Sequence, residues 1–312
     1  MADAFISWYS NLGRSPHSIK AMKDSLNRLL LLLDMKYSEL KKQITKPKET
    51  LNKIIGHYSI STTLLLLNVI KMILKKEKKE NLIDIYEQYI QELRAERENE
   101  SMKQEKNNHE SENWIEYLEL KKMVEDHIKD ALKKKISFTR MRLLILVSLY
   151  TMIPPTRISN YLNMQIIDND KSADDDNKNY YNKKTDTFIY NNYKTAKYLG
   201  SVKYKIEDEN FIKLINKWLS PEYNNTDYFL TDLKGNPLTP NQNISKLITN
   251  ASETYLKKRI NLNLFRKIFL TWFLSTNPTI QEKEKIYSVV GQVYNPSTSE
   301  KYYQKFDDKN EK

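Results

Sequence analysis

Residues 96–112 hold almost nothing that a hydrophobic core could use, with Met102 the lone apolar side chain in a run of charged and polar ones. Such a stretch cannot offset the entropy of ordering by burial, so it predicts a charged linker with a folded part on either side. At 312 residues the chain is long enough for two domains. The expected division is therefore 1–95, a linker at 96–112, and 113–312.

The two parts differ in pattern. In the first, Ile19, Met22, Leu26, Leu29, Leu30 and Leu33 recur at helical spacing with lysines between them. Ser15 is placed to cap a helix whose first residue is Pro16, where a missing N–H is harmless. Ser61, Thr62 and Thr63 read as the start of another. A small helical domain is predicted.

In the second part, Trp114 to Tyr117 leads into a helical stretch, and Phe138 to Tyr150 is a strongly apolar helix stopped by Pro154 and Pro155. Residues 164–167, 187–190 and 201–206 read as strands, with 168–184 as a hydrophilic loop. Lys194 to Gly200 has the length and the glycine of a hairpin connection, which puts Lys194 at the tip. Beyond Asp208 the pattern is helical again, broken at Lys234, Gly235, Asn236 and Pro237. The fold class expected is mainly α with a small antiparallel β-sheet.

Lysine and arginine outnumber aspartate and glutamate 51 to 40, a formal charge of +11 that suits a polyanionic partner. The chain has no cysteine, so disulfides, thiolate chemistry and cysteine-bound zinc are excluded, and a reducing interior is the default compartment. The apolar runs at 29–33 and 64–67 are far shorter than a bilayer span, and the N-terminus lacks a signal-peptide pattern, so no membrane partner is expected. None of the five glycines forms a phosphate-cradling array, which argues against a nucleotide. Asp174, Asp175 and Asp176 point in different directions from a polar loop and are read as solvated, not as metal ligands. No metal or other cofactor is expected.

Three segments carry chemistry. The first runs Leu149-Tyr150-Thr151-Met152-Ile153-Pro154-Pro155-Thr156-Arg157-Ile158-Ser159-Asn160-Tyr161-Leu162. The second is Asn263-Leu264-Phe265-Arg266-Lys267-Ile268-Phe269, and the third Val289-Val290-Gly291-Gln292 followed by Ser297-Thr298-Ser299-Glu300-Lys301-Tyr302-Tyr303. Their order and spacing, with Lys194 between the first two, resemble the boxes of the tyrosine recombinases (integrases). The Pro-Pro before Arg157 and the segment Phe188 to Lys197 are most similar to integrases of large DNA viruses and virophages, which would place the chain in a virus or mobile element and in the nucleus or cytoplasm. The helical first part also resembles that family's core-binding domain.

The resemblance implies a DNA-binding helical domain at 1–95 and a catalytic domain at 113–312 that cleave and rejoin duplex DNA through a 3′-phosphotyrosine. Two guanidinium forks, from Arg157 and Arg266, suit the charge that grows on the phosphate oxygens in the transition state. Lys194 is implied as the proton donor to the departing 5′-oxygen, and Tyr302 as the nucleophile, with Tyr303 as the alternative. Ser297 to Glu300 fits a capping box, so only one of these tyrosines could reach the phosphate. Asn263 and Gln292 stand where the family has histidine, or histidine or tryptophan. The chain's four histidines, His17, His57, His109 and His127, all precede Arg157. Lys20, Lys23, Arg140, Lys197 and Lys267 are the candidate DNA contacts. The implied partner is double-stranded DNA bound by a homo-tetramer. A weakened or inactive DNA-binding relative of a recombinase, and a type IB topoisomerase-like enzyme, stay open as alternatives.

Overall fold

The computed structural model describes residues 2–239, 244–295, 300 and 303–306, with only the backbone of Lys171. The chain divides into two compact units, Met1–Lys103 and Gln104–Lys312.

The first unit is helical among its described residues. Its elements are α1 (Ala2–Ser10), α2 (Pro16–Leu33), α3 (Tyr37–Gln43), α4 (Pro47–Ile54), α5 (Ile60–Lys76) and α6 (Glu80–Met102). Ser15 caps α2 as its sequence predicts, its side chain accepting from the Ser18 N–H at 3.2 Å. α5 begins slightly earlier than expected because Ser59, not Ser61, is its capping residue. Leu26, Leu29, Leu66, Leu67, Ile70 and Ile73 are buried together where α2 meets α5, while Tyr86 on α6 donates its hydroxyl to the Ile44 carbonyl.

The stretch expected as a linker is largely helical. Residues 96–102 are the end of α6, and α7 (Asn108–Asn113) follows after a short break. Its ordering has a local cause in the second unit: Asn107 and Glu110 form a reciprocal capping box, and the Glu110 carboxylate is buried against Lys267. A charge run can order without apolar anchors when its charges have fixed partners.

The second unit continues with α8 (Tyr117–Lys133), α9 (Phe138–Thr151), β1 (Gln165–Ile167), β2 (Asn179–Asn182), β3 (Thr187–Tyr190), α10 (Ala196–Leu199), β4 (Val202–Lys205), α11 (Glu209–Trp218), α12 (Ile244–Leu256), α13 (Leu262–Ser275) and α14 (Ile280–Val290). Helix α9 is buried from Leu144 to Thr151, and α8, α11, α12 and α13 pack around it. It is apolar on nearly every face because it lies at the centre of the helical layer.

The sheet has the order β1-β2-β3-β4 and is mixed, not antiparallel: β1 pairs with β2 in parallel, while β2–β3 and β3–β4 are antiparallel. The strand responsible, β2, lies inside the stretch expected as a loop. Its sequence Asn179-Tyr180-Tyr181-Asn182 lacks the alternation of a half-buried strand because all four residues are buried. Tyr181 packs on Phe188 across the β2–β3 ladder, and Tyr161 meets Phe188, Tyr190 and Phe229. This aromatic cluster ties the chain just after Arg157 to the sheet. The β3–β4 connection is longer than a tight turn and contains α10, so Lys194 sits on its first arm instead of at a tip.

Candidate active site

The first segment ends α9 at Thr151, crosses the two prolines and turns at Arg157 into a 3-10 helix, Ile158–Asn160. The proline rings prevent α9 from continuing, and the chain stays buried through Thr156 before Arg157. Thr156 is fully buried beside the half-exposed Arg157.

The second segment starts α13. Its capping residue is Asn261, whose side chain accepts from the Leu264 N–H at 3.0 Å. Asn263 is exposed in the first turn with no side-chain hydrogen bond among the described residues, and Arg266 follows on the next turn. Arg266 is 7% exposed, and its Nε donates to the Pro155 carbonyl at 3.0 Å, which joins the second segment to the first.

The third segment ends α14 at Gly291, which adopts the left-handed conformation (φ 80°) that lets the chain reverse. A methyl group on Gly291 would lie 3.8 Å from the Tyr193 ring and 4.0 Å from Thr156 Oγ1. Thr195 donates its hydroxyl to the Gly291 carbonyl at 3.0 Å. The Lys194 arm, the turn before Arg157 and the Gly291 turn therefore meet at one place. Lys194 itself is exposed beside a polar cleft of about 380 Å³ lined by Ser159, Asn163, Asn177 and Asn192 among others.

Gln292 Nε2 donates to the hydroxyl of Tyr303, which is buried. Around Tyr303, Thr271 on α13 donates its hydroxyl to the Tyr303 carbonyl and accepts from the Lys305 N–H at 2.9 Å. Upstream, the Glu300 carboxylate takes Lys283 at 2.9 Å and the Tyr294 hydroxyl at 2.7 Å. Tyr302 and residues 297–299 of the expected capping box lie outside the described residues.

Electrostatics mark the same place. Burial lowers the pKa of Arg266 below the ordinary arginine value; Tyr150 and Tyr303 oppose this, and the nearby Arg157 charge adds to it. Neither Arg157 nor Arg266 has a carboxylate partner among the described residues. Two neighbouring cations repel each other, and the buried Arg266 lacks hydration, so the arrangement favours an added anion.

The candidate DNA contacts separate into two kinds. Lys23, Arg140 and Lys197 are exposed, and Lys20 is exposed with Asp24 at 3.8 Å. Lys267 is different: it faces away from solvent and pairs with the buried Glu110, so its charge is already neutralised. A contact of Lys267 with DNA would compete with that ion pair. Asp174 and Asp176 are exposed, Asp175 pairs with Lys178, and no group of acidic or histidine side chains among the described residues could hold a metal ion.

Sequence reading did not single out Asn179, Thr195 or Thr271. Single polar residues in a lysine- and asparagine-rich chain carry no spacing signal, and only the fold brings them to the site.

No family model and no curated protein matches the chain. Its backbone is similar to the crystal structure of XerA recombinase, at 15% identity and a TM-score of 0.43, over 98% of this chain and 94% of that one. An overlap that loose leaves the chemistry to be judged from the side chains.

Proposed function

We propose that the protein is a DNA strand-cleaving and rejoining enzyme of the tyrosine recombinase class, with Tyr303 as its nucleophile. The observation that carries this reading is that buried Arg266 feels the charges of both Arg157 and Tyr303, whose hydroxyl takes Gln292, while neither arginine has a carboxylate partner among the described residues. The two guanidiniums would hold the nonbridging oxygens of a scissile phosphate, which gain charge as the phosphorus becomes five-coordinate. The phenolic proton passes to solvent as the tyrosine oxygen attacks. The tyrosine oxygen then bonds to phosphorus, the bond from phosphorus to the 5′-oxygen breaks, and Lys194 gives that oxygen its proton. The phosphotyrosine keeps the bond energy, so a 5′-hydroxyl can reverse the step without a nucleotide.

Tyr302 becomes the alternative nucleophile in this reading. Lys20, Lys23, Arg140 and Lys197 would meet the backbone of double-stranded DNA. A homo-tetramer would bring two duplexes together for recombination, whereas action by one copy would make it topoisomerase-like. The viral affinity rests on the Pro-Pro turn and the segment around Lys194.

A second reading, a DNA-binding relative without activity, is favoured by Asn263 and Gln292, since an amide cannot shuttle a proton near neutral pH. Nicked duplexes whose short cleaved strand diffuses away separate the two. The enzyme reading expects a denaturation-resistant protein–DNA adduct that is lost in Arg157→Ala. Tight, salt-dependent binding with no adduct on any duplex supports the inactive relative.

A further inference from the structure

We infer that Asn179 is a positioning residue that sets Lys194 against Arg157. The inference rests on the reading of Lys194 as proton donor to the leaving oxygen. Asn179 is 5% exposed and uses its whole hydrogen-bonding capacity. Its Nδ2 donates to the Asn160 carbonyl at 3.0 Å and to the Asn192 carbonyl at 2.9 Å. Its Oδ1 accepts from the N–H groups of Asn191 at 2.9 Å and Asn192 at 2.8 Å.

Those partners belong to the two arms of the site. Asn160 closes the turn that begins at Arg157, its N–H donating to the Arg157 carbonyl at 2.9 Å, and its side chain donates to the buried Thr156 hydroxyl. Asn191 and Asn192 lead directly into Tyr193 and Lys194. The β2–β3 ladder stops at the pair Asn179 and Tyr190, so the next two N–H groups have lost their strand partner. The Asn179 carbonyl supplies it, and the same side chain's amide ties that segment to the arginine turn. One rigid side chain thus fixes the arm that carries a flexible lysine, held again beyond Lys194 by Thr195 on the Gly291 carbonyl. The lining of the polar cleft beside Lys194 includes Asn179, Asn192 and Lys194 together.

A cap that only stabilises the sheet would lower the amount of folded protein and nothing else. A residue that acts through Lys194 has a chemical signature, because only one bond in the reaction needs that proton. DNA with sulfur in place of the 5′-bridging oxygen releases a thiolate, which leaves without protonation. Adduct formation is measured for folded wild type, Lys194→Ala and Asn179→Ala on oxygen and sulfur duplexes. On oxygen, Asn179→Ala is expected to react about tenfold to a hundredfold more slowly, the scale of a small misplacement, with DNA affinity unchanged. On sulfur, both variants are expected to approach wild type.

An equal loss on both substrates, or no loss, overturns the inference while leaving the Lys194 reading intact, provided Lys194→Ala is itself rescued by sulfur. If Lys194→Ala loses nothing on oxygen or is not rescued, the donor reading fails and the inference falls with it. Should Asn179→Ala not fold, Asn179→Asp decides: it keeps the acceptor for the Asn191 and Asn192 N–H groups but removes both bonds donated to the Asn160 and Asn192 carbonyls. A smaller loss confined to oxygen supports the inference, and any other pattern overturns it.

Discussion

Two neighbouring cations on α13 have opposite surroundings. Lys267 is buried against a carboxylate of its own unit, Glu110, whereas Arg266, one residue earlier, is buried beside another cation and a tyrosine. The lysine's electrostatics are complete within the fold. The arginine bonds the Pro155 carbonyl but has no carboxylate partner among the described residues, and in the proposed reading a phosphate would complete the pair it forms with Arg157. The same helix therefore has a structural edge and a chemical edge, and burial alone does not tell them apart.

The comparison can be broken most forcefully on the structural edge. Lys267→Ala leaves Glu110 buried without its partner and is expected to cost about 3–5 kcal/mol of stability, read as a large fall in Tm. Replacing Lys267 and Glu110 together with methionine should recover most of that loss. On the chemical edge the pattern reverses. Arg266→Ala is expected to slow adduct formation about a hundredfold to a thousandfold while Tm holds or rises, because an uncompensated charge has been removed.

Inorganic phosphate sharpens the contrast at smaller scale. At ten times its Kd it should stabilise the wild type by about 1.4 kcal/mol, and should not stabilise Arg157→Ala or Arg266→Ala, whereas Lys267→Met keeps the effect. The smallest effect concerns the segment that presents Tyr303. Burial alone would raise the Glu300 pKa, but the hydrogen bonds from Lys283 and Tyr294 outweigh it and hold it below the ordinary carboxylate value. A depressed carboxylate contributes stability above its unfolded value that is lost as pH falls through the folded one. Below about pH 4, limited proteolysis should therefore cut near residue 300 faster, and Glu300→Gln should show the same sensitivity at neutral pH.

Much of this was legible in the sequence. Helices α2 and α9 follow from apolar periodicity, a capping serine or a proline stop. Strand β2 was hidden because burial on both faces removes alternation and two of its four residues are asparagines. The helical order within 96–112 was not legible because the sequence does not show that Glu110 would find Lys267, far along the chain. Spacing favours Tyr302 and takes no account of the bond that Gln292 makes with Tyr303, which is why the proposed reading takes Tyr303 as the nucleophile.

That choice is also the most direct test of the account. Adducts trapped on nicked duplexes are digested and the DNA-linked peptide mapped by mass spectrometry in wild type, Tyr302→Phe and Tyr303→Phe. The account predicts an adduct on Tyr303 that persists in Tyr302→Phe and vanishes in Tyr303→Phe. An adduct on Tyr302 that survives Tyr303→Phe would contradict it.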